Sequence, residues 1–301
     1  MDCASRHITA PGRLLYKPAS RRRRASTARR GGGSMIQNGT APIVCFTELT
    51  TLACAPACTA HWLLGFPARA LALEGETLAL AGRLAHPFSL ALALALNAML
   101  YLDRGEPVLA LRQLEAAEAL AAEQRLGFNF EPRFLRGAIM TAQGAYEEGS
   151  ACLRDGLASP LGAMRFRLYG LARLAEALVR QGEHGEALAA TIEGRKAQEE
   201  TGHRQWEAEL RRLEGVALVG LNRLDEGQNA FQKALRIARR QQTKSYELRA
   251  ATSLARLWGE RGQRAEARDL LAPVYGWFTE GFDTADLMEA KALVDELGGA
   301  D

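Results

Sequence analysis

Cys54, Cys58 and His61 stand at i, i+4 and i+7, one face of a helix, and are residue types that zinc accepts. No fourth ligand accompanies them. Cys58 also occupies a position that carries a small residue throughout the chain, and His61 aligns with the packing residues Tyr101, Met140, Leu178, Leu218 and Trp258. The expectation is therefore packing and not ligation. His86, His184 and His203 fall at the ends of helical segments, His7 lies near the N-terminus, and no nucleophile keeps a fixed spacing to any of them. They read as polar residues at helix ends. No Gly-x4-Gly-Lys-Ser/Thr occurs, and Gly31-Gly32-Gly33-Ser34 has no lysine behind it, so no phosphate cradle is assigned. Trp258, Tyr275, Trp277 and Phe278 have the composition of an aromatic ligand cage, but their position under the last helix favours core packing. The basic run Arg236, Arg239, Arg240 and Lys244 reads as a solvated helix face near a C-terminus. Catalytic residues, cofactor and metal are all expected to be none.

The elements that carry these residues repeat. Cys58, Ala98, Gly137, Ala175, Gly215 and Ala255 are each followed twelve positions later by another small residue, Ala70, Ala110, Gly149, Ala187, Gly227 and Ala267. The second set is spaced by 40, 39, 38, 40 and 40 residues. Five positions before each of its members stands a helix-ending residue: Gly65, Gly105, Gly144, Gly182, Asn222 or Gly262. Small side chains are needed where two helices cross closely, and Gly or Asn where a helix stops in a left-handed turn. A period of this length marks a stacked array of helical hairpins. The spacing predicts an all-α chain, a right-handed superhelical array of about six hairpins over 54–84, 87–125, 131–158, 161–201, 203–241 and 243–279. Within the third to sixth hairpins the second helices are expected over 145–158, 183–201, 223–241 and 263–279. Residues 284–297 form an amphipathic C-terminal cap, with Leu287, Ala290, Leu293, Val294 and Leu297 on one stripe and Asp283 as its N-cap.

Charge divides the chain. Residues 1–41 hold nine Lys/Arg against one acid, Asp2, and read as a disordered basic leader. Residues 42–301, the repeat domain, hold 29 Lys/Arg against 34 Asp/Glu. The sequence pI near 8.7 thus comes from the leader and gives no argument for nucleic acid binding by the repeat body. Five cysteines, an odd number, do not make a disulfide framework. The longest apolar run, Ser89 to Leu102, is too short to cross a bilayer, and no secretory leader is read. A cytoplasmic location, with no membrane partner, is the expectation. An array opened at its N-terminal end would expose apolar surface, which points to self-association.

The hairpins resemble tetratricopeptide repeats: Gly144-Ala145-Tyr146-Glu147-Glu148-Gly149 and Leu224-Asp225-Glu226-Gly227, with Phe231-Gln232-Lys233-Ala234-Leu235, look like the second-helix signature of that family. The period, about 39 residues against 34 in the family, implies longer helices. The stretch from Phe231 to Leu297, including Ser253-Leu254-Ala255-Arg256-Leu257-Trp258 and Trp277-Phe278-Thr279-Glu280-Gly281-Phe282-Asp283, is similar to the C-terminal end of bacterial proteins that join a class III adenylate/guanylate cyclase domain to an AAA-type ATPase and a helical repeat region. That likeness implies a sensing or partner-binding arm of a signalling ATPase, without its catalytic domains. In tetratricopeptide arrays the first helices line the concave side, and the resemblance carries Tyr169, Glu176, Arg212, Arg249 and Arg256 to that side. A mixed groove of Arg and Glu suits a protein or peptide ligand. The function expected is a non-catalytic interaction or sensor module. Its rivals are nucleotide chemistry retained from the resembled parent and nucleic-acid binding through the basic leader.

Overall fold

The computed structural model describes residues 57–83, 86–126, 132–159 and 166–299. All lie in one compact unit, Thr40–Asp301. The basic leader, Cys54 and Pro160 fall outside the described residues. Those residues form helices and connecting turns, with no strand among them. The first helical stretch, α1, covers 57–63. It is followed by α2 (Pro67–Arg83), α3 (Pro87–Arg104), α4 (Pro107–Glu123), α5 (Pro132–Ala142), α6 (Tyr146–Ala158), α7 (Arg167–Gln181), α8 (His184–Thr201), α9 (Glu207–Gly220), α10 (Leu224–Gln241), α11 (Lys244–Glu260), α12 (Arg264–Tyr275) and α13 (Ala285–Gly298).

Local chemistry sets these boundaries. Pro67, Pro87 and Pro107 each open a helix, where the missing N–H has no intrahelical acceptor to lose. Gly65, Gly105, Gly144, Gly182, Asn222 and Gly262 all take positive φ, between 60° and 92°, and turn the chain from one helix into the next. His86 is the N-cap of α3, its ring nitrogen accepting from the backbone N–H of Ser89.

Consecutive helices pack against one another along the chain, and the odd-numbered helices from α3 to α13 also touch in succession, forming an inner layer. Where helices of a pair cross, side chains are small and fully covered: Ala70, Ala98, Ala110, Ala175, Ala187, Ala255 and Ala267 are all 0% exposed. At the α9–α10 crossing a Cβ on Gly215 would sit 2.5 Å from the Phe231 ring and 3.1 Å from the Gly227 carbonyl. That spacing leaves no room for a methyl group.

The array differs from the open one expected, because its last elements reach its first. Arg104 of α3 pairs with Asp283 at 2.6 Å. The Glu280 carboxylate accepts from the backbone N–H groups of Ala68 and Arg69, both at 3.1 Å, and so caps α2 from across the fold. Ser245 donates to the carbonyl of Trp62, whose ring meets Tyr246 edge-on at 5.6 Å.

These contacts correct two further expectations. Asp283 does not cap α13; Thr284 is the N-cap residue and Asp283 is held by Arg104 instead. Helix α12 ends at Tyr275 and not near 279, two residues past Pro273, whose missing N–H takes one bond out of the helix's last turns. The freed segment 276–284 makes the contacts with α2 and α3. Trp277 lies on it and is 39% exposed, stacked at an angle on Phe66, so it is not core; Phe278 beside it is buried. On α13, Leu287, Ala290, Leu293 and Leu297 are buried, while Lys291, Asp295 and Glu296 face solvent.

Candidate interaction site

The inner helices present charged side chains at helical spacing, and these converge on one network. On α7, Arg173 bridges Asp103 of α3 and Glu176 one turn on, the latter at 2.9 Å. On α9, Arg212 grips Glu209 with two parallel bonds of 2.9 and 2.8 Å. On α11, Arg249 bonds Asp286 of α13 at 2.7 Å and Glu209 at 3.4 Å, and donates to the Asp103 carbonyl at 3.3 Å. Arg256, two turns beyond Arg249, meets Glu289 of α13 at 2.7 Å.

Burial decides the ionisation of these groups. Desolvation alone would raise the Glu209 carboxyl, but Arg212, reinforced by Arg249 and Arg173, overcomes it and holds the group down at about 2. Glu176 likewise lies below the usual carboxylate range: burial opposes its charge, and the fields of Arg173 and Arg249 prevail. Beneath the ions lies an aromatic floor. Tyr169 meets Trp206 edge-on at 5.3 Å, Trp206 meets Tyr246 at 6.1 Å, and burial pushes the Tyr169 phenol up to about 12.

Above the network opens a cavity of about 490 Å³. Its apolar lining includes Leu213, Val216 and Val219 of α9, Phe231 of α10 and Leu257 of α11. Its other walls carry Glu176, Arg212, Arg249, Arg256, Asp286 and Glu289, and its outer edge carries Arg180 and Glu260. Arg180 also borders a second cavity of about 650 Å³, at the α5–α6 and α7–α8 turns. There Glu147, Glu148, Glu183 and Glu186 face Arg154, which pairs with Glu186 at 2.6 Å.

Of the residues carried over to the concave side, Glu176, Arg212, Arg249 and Arg256 line the first cavity together. Tyr169 does not. It is 3% exposed, under the Arg173 guanidinium and against Trp206, because the closing of the inner layer places its ring below the ion network. Sequence reasoning missed Asp103, Arg173, Glu209 and Asp286. A signal for Glu209 was present: it stands six residues before Gly215, the register that Arg249 holds before Ala255 and Tyr169 before Ala175.

Of the zinc-type set, Cys58 and His61 are described, while Cys54 lies outside the described residues. Cys58 is buried at 2% exposure, His61 is half-buried, and no group of His, Cys, Asp or Glu among the described residues is arranged to hold a metal ion. In the basic run, Arg239 and Lys244 both bond the buried Glu247, at 2.8 and 2.7 Å, while Arg236 and Arg240 are exposed. No helix among the described residues is long and apolar enough to cross a membrane.

No protein-family model and no curated protein sequence matches the chain. Solved structures do, 32 chains in all. Among them is one titled "Crystal Structure of Rap Protein Complexed with Competence and Sporulation Factor", which superposes with a TM-score of 0.60 at 15% identity. The match covers 87% of this chain and 70% of that one. At that identity the likeness speaks to fold alone, and the fold is an all-α helical repeat similar to that of the Rap structure.

Proposed function

We propose that the chain is a non-catalytic interaction module that holds a peptide, or a linear segment of a partner protein, in the cavity of about 490 Å³ bounded by α7, α9, α11 and α13. The observation that carries this reading is the convergence of charged side chains from four separate helices around an apolar slot. Such a site offers paired donors and acceptors to a peptide backbone and a pocket to one aliphatic side chain. The Rap structure similar in fold was determined in complex with Competence and Sporulation Factor, which supports a binding role for this architecture.

The finer architecture in this reading is six hairpins wound as a right-handed superhelix, with α1 and α2 as the first and α13 as the cap. The likeness of Phe231–Leu297 to the repeat region of cyclase/ATPase proteins supplies the context, a cytoplasmic signalling arm that reports a bound partner. Self-association is not required by it, since α2 and α3 are engaged by Glu280 and Asp283.

Selection from a displayed random-peptide library on the full chain tests the reading. Peptides recovered on the parent are expected to lose at least about tenfold in affinity on Arg256→Ala with Glu289→Ala, a rim pair whose removal leaves the buried network intact. Equal affinity for parent and variant would remove the cavity from the interaction. ATP turnover by the pure chain would overturn the non-catalytic assignment.

A further inference from the structure

The proposed site has an electrostatic sign that its paired appearance hides. Taken with the buried network beneath them, and with Arg180 counted once, the two cavities gather ten carboxylates against six guanidiniums. The whole of residues 42–301 holds 34 Asp/Glu against 29 Lys/Arg. The two cavities, which meet at Arg180, and the network beneath them thus hold four more carboxylates than guanidiniums. The guanidiniums are largely committed: Arg173 to Asp103 and Glu176, Arg212 to Glu209, Arg249 to Asp286, Arg154 to Glu186. Concave walls of low dielectric focus such a field outward.

From this we infer that the partner segment is cationic, with lysine or arginine side chains flanking an aliphatic residue. The inference rests on the reading of the first cavity as a peptide site and adds the chemistry of its occupant. The aliphatic side chain fills the slot at Val216, Val219 and Leu257. One cationic flank lies beside Glu260, and the other passes Arg180 to reach Glu147, Glu148 and Glu183.

The test uses the full chain and three acetylated, amidated nonapeptides. Each has leucine at its centre and a pair of lysines, glutamines or glutamates on each side. Fluorescence anisotropy is expected to rank them lysine, glutamine, glutamate. The first should exceed the last by about tenfold at about 50 mM salt, and the gap should narrow at about 300 mM. Glu147→Gln with Glu148→Gln and Glu183→Gln should weaken the lysine peptide about fivefold or more, as the loss of exposed pairs predicts. Because Glu147 and Glu148 lie in the first turn of α6, Glu260→Gln serves as an independent variant away from any helix start; it should cost about twofold. Equal or tighter binding of the glutamate peptide, or an unchanged lysine affinity in the triple variant, overturns the inference. Should a library-selected peptide that depends on Arg256 and Glu289 prove acidic, the site stands and the cationic assignment falls. Failure of every peptide, selected or designed, removes both.

Discussion

The guanidinium of Arg249 lies 4.9 Å from the centroid of the Trp62 ring, so a residue of α11 covers an aromatic side chain of α1. The same guanidinium reaches the carbonyl of Asp103 at the end of α3, the carboxylate of Glu209 on α9 and that of Asp286 on α13. One side chain therefore ties the first hairpin to the last and both to the wall of the cavity. A planar group with five donors can make this set of contacts, and a lysine ammonium cannot.

Arg249→Met tests that role while keeping the apolar stem over Trp62. It leaves Asp286 with no cation at bonding distance and Glu209 with Arg212 alone; because Arg249 and Asp286 are partly exposed, the cost should be about 1–3 kcal/mol, below that of breaking a fully buried pair. Urea unfolding should show a lowered midpoint at unchanged slope, corresponding to a stability loss of that order. Adding Asp286→Asn to the variant should recover a part, because the stranded carboxylate is then gone. A single variant as stable as the parent would mean that the closure contributes nothing.

Closure also depends on Glu280, which supplies α2 with the cap its own sequence lacks: Phe66, just before Pro67, has no side chain able to accept. Glu280→Ala should cost about 1 kcal/mol, the usual value for a lost N-cap. The sharper readout is amide hydrogen exchange. Protection should fall at Ala68 and Arg69 and in the neighbouring turns of α2, while α8 to α10 keep theirs.

Helix ends and crossings were legible because each is decided within a few residues. A proline at Pro67 or Pro107 starts a helix, a glycine at Gly105 or Gly182 stops one, and an alanine at Ala187 marks the closest approach. The contact of Arg249 with Trp62 was not legible, because it depends on small rotations summed over every intervening pair. Tyr169 shows the consequence. Its register, six before Ala175, was the right one for the inner face, yet closure set that part of the face below the cavity. Arg256, one residue after Ala255 and further along its helix, stayed at the open rim.

The crossing rule has a direct test at Gly215. Its missing Cβ is what lets Phe231 and the Gly227 carbonyl close on α9, so Gly215→Ala must push the ring or the helix aside. Helix propensity favours alanine by about 1 kcal/mol and overpacking opposes it by about 1–3 kcal/mol, and the short distances favour the second. Calorimetry should record a net fall in Tm of a few degrees, about 2–4 °C for each kcal/mol in a domain of this size. A rise would show that the pair has slack that the distances deny.

Two buried carboxylates should give stability a dependence on pH with opposite slopes. Burial raises the Glu74 carboxyl from 4.5 to about 7, and its Oε2 has no hydrogen-bond partner. Between those values the folded chain holds a proton that the unfolded chain has lost, so stability falls as pH rises from about 4.5 to about 7. Glu209 runs the other way. Held at about 2 against 4.5, it contributes stability that is complete above about 4.5 and is lost as pH drops toward 2. Each shift is worth about 3 kcal/mol. For these two groups the parent should be most stable near pH 4.5. Glu74→Gln, uncharged at every pH, should flatten the alkaline slope and leave the acid slope in place. At pH 8 its Tm should exceed that of the parent by about 6–12 °C, and below about pH 4 the two should nearly coincide. A parent profile that stays level between pH 5 and pH 8 would show that the Glu74 carboxylate is charged in the folded chain without penalty, and that its burial is compensated by contacts the fold does not display.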